Sequence, residues 1–228
     1  MTRERKTKVE VLAIEILTKY QIGSNPGEHL NIILEGENIE LIDYHEWPDE
    51  TCGRLMYING VPVIYYNAKH KKEIQAFTIA HELGHYFLNH LENSEAEIIC
   101  IDRDFERYDD NDDPQKELEV EANYFAACLL LPRHLLQPVF TNFMAWKGRT
   151  VPLYVDRQAC NYADYKQCIS YIKESFLASE SAIRYRLISL NWMEYNFKTD
   201  TYSAPKSKLM TIAEIFNAIA DENKHTVL

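Results

Sequence analysis

The stretch that most constrains this chain is residues 71–91, KKEIQAFTIAHELGHYFLNHL. Its spacing predicts a helix, and Ile74, Phe77, Ile79, Leu83, Phe87 and Leu88 fall around most of the circumference. A helix that is apolar on nearly every side is a central element, and the rest of the fold has to enclose it. Yet this helix also carries His81, Glu82 and His85 in the order H-E-x-x-H. Residues i and i+4 lie one above the other on one helix face. Both imidazoles can therefore reach a single tetrahedral Zn²⁺. Glu82 sits about 100° round the helix from His81. That places it near such an ion without aiming it at the metal, which suits a general base acting on water.

A catalytic zinc needs a third protein donor and one open position. A second buried helix is expected over 116–131, in KELEVEANYFAACLLLP, ended by Pro132, which cannot continue a helix. Three glutamates compete there: Glu117, Glu119 and Glu121. At about 100° per residue, Leu118, Ala122, Phe125, Ala126, Leu129 and Leu130 share one face. Glu119 falls inside that arc, whereas Glu117 and Glu121 fall outside it with Tyr124. A carboxylate on a buried face is costly unless paired or bound to metal. This favours Glu119 as the third donor, with Glu121 as the alternative. Asn123, one turn further on, is placed to hold the free ring N–H of a ligand histidine. Ala122, Ala126 and Ala127 allow the two helices to approach closely.

The other segments frame this pair. Residues 4–20 carry a helical stripe, ended by SNPGEH. Residues 31–44 are expected to form strand. RLMYI and VPVIYYN flank Asn59-Gly60, a hairpin signature because a type I′ turn needs φ > 0 at both central residues. Pro62 cannot donate to a ladder, which suggests an edge position for the second strand. An extended substrate peptide is then expected to add to that edge, with Val61, Val63 and Tyr65 as candidate contacts. Residues 101–116 are acidic and read as a solvated loop. Helices are expected over 161–175 and 179–193. Residues 199–228 read as a linker and a terminal amphipathic helix, outside a domain spanning 1–198.

Charge and cysteine usage limit the partners. With 24 Lys and Arg against 35 Asp and Glu, the net charge is −11, which argues against direct nucleic-acid binding. The five cysteines are scattered and form no C-x-x-C pair, which fits thiols in a reducing compartment. No run of about 18 apolar residues is present, and MTRERKTKVE lacks the apolar core of a signal peptide. The expectation is a cytoplasmic protein with no membrane partner.

IAHELGHYFLNH followed by ELEVEANYFAACLLLP resembles the ImmA/IrrE family of metallopeptidases, and ASESAIRYRLISLNW (178–192) is similar to a weaker third stretch of that family. The resemblance implies an α+β, mostly helical zincin-like fold with a small mixed sheet or hairpin beside the active-site helix. It implies one Zn²⁺ per chain, held by His81, His85 and Glu119, with Glu82 as the base. It also implies endopeptidase action on a helix-turn-helix transcriptional repressor, switching on mobile-element or stress genes. The alternative is a non-cleaving regulator, or a toxin–antitoxin-type protein, that binds a transcription factor through the same domain. An oxyanion partner is expected beside the metal, and His134 is one candidate. One departure stands out. Many members carry a histidine one turn after the second ligand; here that place is Asn89, and the histidine is His90. Continued along the same helix, His90 lies about 100° off the ligand face and is not expected to bind the metal.

Overall fold

A computed structural model describes residues 1–90 and 114–196. Of the expected acidic loop over 101–116, residues 101–113 lie outside the described residues, as does the tail over 199–228, and residues 114–116 instead begin a helix. The elements run α1 (Arg3–Lys19), α2 (Leu30–Gly36), β1 (Glu40–Tyr44), β2 (Gly53–Ile58), β3 (Val61–Asn67), α3 (Lys72–Phe87), α4 (Pro114–Leu130), α5 (Arg133–Trp146), β4 (Leu153–Val155), α6 (Ala159–Lys173), α7 (Glu180–Ser189) and β5 (Met193–Tyr195). This is a mostly helical α+β fold with a small mixed sheet packed on α3.

The hairpin forms where its turn residues place it. Asn59 (φ 52°) and Gly60 (φ 83°) both take positive φ, as the tight turn requires. The strand after the turn is nevertheless not an edge. The sheet order is β1-β3-β2, so β3 is central, parallel to β1 and antiparallel to β2. Pro62 is tolerated because the β1 ladder begins only at Val63, one residue past the missing N–H. Among the described residues, β1 and β2 are the outer strands of this sheet. The stretch 31–44 is also not one strand. Leu30, Ile33 and Leu34 are buried at helical spacing and form α2, and only Glu40–Tyr44 pairs as β1.

Helix α3 is enclosed, with every residue from Gln75 to His85 buried. Its closest neighbour is α4, and Gly84 permits the approach. A Cβ at Gly84 would lie 3.1 Å from both Cα and O of Ala122 and 3.2 Å from Phe125, tighter than ordinary packing allows. Helix α1 covers another side of α4 with Val9, Ala13, Ile16 and Leu17. A parallel pair, β4 with β5, ties the segment after α5 to the chain after α7. Each of these strands has three residues, too short to give a periodic signal. Among the described residues, no helix is long and apolar enough to cross a membrane.

Candidate metal centre

The α3–α4 contact brings three donors to one point. His81 Nε2 and His85 Nε2 are 3.0 Å apart. Glu119 Oε2 lies 3.2 Å from His81 Nε2, and Glu119 Oε1 lies 3.4 Å from His85 Nε2. A tetrahedral zinc with bonds near 2.0–2.1 Å separates its donors by about 3.3 Å. The spacing and the His₂Glu chemistry thus fit such an ion. The helical i, i+4 spacing sets the two histidines, and the close helix approach at Gly84 brings Glu119 across to them.

Protons are fixed from outside the cluster. Asn123 Oδ1 lies 2.9 Å from His81 Nδ1. An amide oxygen only accepts, so His81 donates from Nδ1 and turns a bare Nε2 to the cluster. This is the place that α4 periodicity gives Asn123. Burial favours a high pKa for Glu119, but its close contacts with the His81 and His85 rings outweigh it and hold the carboxyl down to about 2. Burial pushes His85 down to about 4. His81 is also buried, yet the Glu119 contact and the nearby Glu82 charge win, and its pKa rises above the ordinary value. A carboxylate held ionised between two buried imidazoles is a site where a cation can replace a proton.

Glu82 is different in kind. It is 1% exposed, and neither carboxylate oxygen completes a well-formed hydrogen bond, although the Leu55 N–H faces it. Burial is the main cause that pushes its pKa up to about 7; the charge of Glu119 adds to this, whereas His81, the Leu55 N–H and Arg54 oppose it. An unsatisfied buried carboxyl is expensive, and a pKa near neutrality is what a general base needs.

The remaining candidates separate clearly. Glu121 turns away from the cluster: Arg5 Nε and Nη2 each donate to it at 2.6 Å. Glu117 is exposed. His134 is exposed on α5. Val61, Val63 and Tyr65 lie on the central strand, with Val63 1% exposed, so none offers a free backbone edge. The strand that passes Glu82 is β2. Asn67 N–H donates to Cys52 O, so alternation points the backbone groups of Gly53, Leu55 and Tyr57 away from β3, on the side where the Leu55 N–H meets Glu82. His90 is not among the converging donors, but its direction departs from expectation. Helix α3 ends at Phe87 and Asn89 takes φ 56°, so the 100° offset does not apply. The chain folds back and sets His90 Nδ1 3.1 Å from His85 Nδ1. The signal was present in the sequence, since asparagine is a common residue for a left-handed helix cap.

A paired-histidine helix crossed by a glutamate-bearing helix, beside a small mixed sheet, is the framework of a zincin-like metallopeptidase. Residues 41–187 match the Peptidase_M78 family model, the IrrE N-terminal-like domain. The match covers more than half of the chain, and the protein belongs to this metallopeptidase family. Comparison with curated proteins finds no match.

Proposed function

We propose that this protein is a zinc-dependent endopeptidase that hydrolyses a peptide bond in a protein regulator. The observation that carries the reading is Glu82, a buried carboxyl without a well-formed hydrogen bond, beside three converging metal donors. The family resemblance points to a helix-turn-helix repressor as the substrate and to the cytoplasm as the place of action. His81, His85 and Glu119 would hold the ion. When bound there, its chemistry is Lewis-acid polarisation of the scissile carbonyl and acidification of water. Glu82 takes a proton from the attacking water and returns it to the leaving amine nitrogen. Asn123 keeps the His81 ring oriented throughout.

The substrate backbone pairs with the outer side of β2 by strand addition, with Tyr57 supplying an exposed N–H while the Leu55 N–H stays with Glu82. Tyr57→Pro removes that donor and leaves the β3 ladder intact. It should raise KM about three- to tenfold, the worth of one net hydrogen bond. An unchanged KM for an extended peptide would move the substrate elsewhere. The central experiment is incubation of a purified helix-turn-helix repressor with wild type and with Glu82→Gln. Wild type should generate new termini, and the variant should lose about 10²- to 10⁴-fold in rate while keeping its zinc. Stable complex formation with no new termini would favour the non-cleaving regulator instead.

A further inference from the structure

The end of α3 does more than stop a helix. Asn89 N–H donates to Tyr86 O at 3.2 Å and His90 N–H donates to His85 O at 3.0 Å. With Asn89 left-handed, this is the Schellman arrangement. In that arrangement the residue two past the cap folds back over the third residue from the helix end, a contact that is ordinarily apolar. Here the two residues are His90 and His85. Their rings meet edge to face, with centroids 5.0 Å apart and an interplanar angle of 77°.

One constraint then assigns every proton in the line. If His85 Nε2 faces a cation it must be bare, so the ring proton sits on Nδ1. That nitrogen lies 3.1 Å from His90 Nδ1, which must accept. The proton of His90 therefore sits on Nε2, which faces Glu121 Oε2 at 3.4 Å. Glu121 is in turn gripped by both fork nitrogens of Arg5 at 2.6 Å. The two imidazoles point their protons towards Glu121, and Arg5 donates to the same carboxylate from the other side; at 3.4 Å the His90–Glu121 contact is electrostatic rather than a formed hydrogen bond. The two ligand histidines thus have different supports. His81 is held directly by an amide from α4, and His85 is held through a second imidazole anchored to α1.

We infer that His90 is a positioning residue. Held by Glu121 and Arg5, it fixes the ring and tautomer of His85 and ties the N-terminal helix to the metal centre. This rests on the metal reading of the site proposed above. The side chain of His90 is 3% exposed and that of Glu121 13% exposed, so the line is shielded from water for most of its length. Arg5 is its solvent end, at 46% exposure.

The test is zinc affinity by chelator competition, read together with the visible spectrum of the Co²⁺-loaded protein. His90→Phe fills the space without an acceptor and should weaken zinc binding about 10- to 100-fold. It should also shift the Co²⁺ absorption bands. His90→Gln offers an amide oxygen to His85 and an N–H to Glu121, so its affinity should return to within about threefold of wild type. A packing role alone predicts no such rescue and no spectral change. Arg5→Met alters an exposed side chain and should weaken zinc binding roughly threefold, which keeps the inference testable if His90→Phe does not fold. Wild-type affinity and spectrum in His90→Phe, or in Arg5→Met where His90→Phe is insoluble, overturn the role given to His90. Failure of wild type to take up zinc overturns the metal reading itself.

Discussion

Helix α4 buries charge on two sides, and the two sides are finished differently. Towards α3 it presents Glu119 to His81 and His85, with Glu82 close by and neither of its oxygens in a well-formed hydrogen bond. Towards α1 and α7 it wraps Tyr124 and Cys128 around Arg186, which is 0% exposed. Arg186 donates to Glu10 and, from Nε, to Leu131 O at 3.0 Å, and its guanidinium lies 5.9 Å from the Tyr124 ring centre. Only Nη1 is left over. Burial opposes the charge, but Cys128, Glu10 and Tyr124 outweigh it and raise the pKa. Burial pushes the Cys128 thiol up to about 12, so it stays protonated and unreactive. The Arg186 side is architecture, because nearly every buried polar group has a partner. The Glu82 side keeps an unmet carboxyl in place, the mark of a group held for chemistry.

The sharpest break of this contrast comes from stability. Arg186→Met strands Glu10 and the Leu131 carbonyl, and loss of one member of a buried pair costs about 3–5 kcal/mol. Glu10 retains 21% side-chain exposure, so the lower end of that range is expected. Glu82→Gln removes no well-formed hydrogen bond and should change unfolding free energy by less than about 1 kcal/mol. Urea unfolding of both variants, without metal, measures the difference. Comparable losses would show that Glu82 is structural too.

A smaller effect sharpens the α3 side. Asn123→Ala frees the His81 ring and should weaken zinc binding about 10- to 100-fold. The melting temperature of the metal-free protein should move by only a few degrees. A large drop in melting temperature with unchanged zinc affinity would make Asn123 a packing residue and break the assignment of its oxygen to His81.

Much of this centre could be read from residue spacing. The i, i+4 histidines and the position of Glu119 within the apolar arc follow from helix geometry alone, and Asn59-Gly60 announced its hairpin. What could not be read depends on pairings between distant segments. Nothing within residues 61–67 says that β1 will lie parallel on its far side, so Pro62 suggested an edge although Val63–Asn67 is central. The run at 30–34 suits either period until its partners are known. His90 was misplaced because one left-handed residue, Asn89, redirects everything after it. Arg186 stood within a stretch similar to the family, but its burial carried no local sign, since its partners Glu10 and Leu131 are far away in sequence.

Asp164 is a middle case and gives the smallest expected effect. Its side chain is 9% exposed and meets Lys147 Nζ at 2.8 Å and Arg149 Nε at 2.8 Å. Burial favours a higher pKa, but the hydrogen bonds from Lys147 and Arg149 win and hold the carboxyl below its ordinary 3.8. A carboxylate depressed in the fold contributes stability that is complete above the unfolded value and disappears as pH falls through the folded one. Asp164→Asn should therefore lower stability by about 1 kcal/mol at pH 7, as for a networked pair near the surface. The gap to wild type should close as the pH is taken well below 3.8. Thermal melts at neutral and strongly acidic pH measure it. A gap that persists in acid would mean that Asp164 acts by shape rather than charge, and would remove the paired carboxylate against which the unpaired Glu82 stands out.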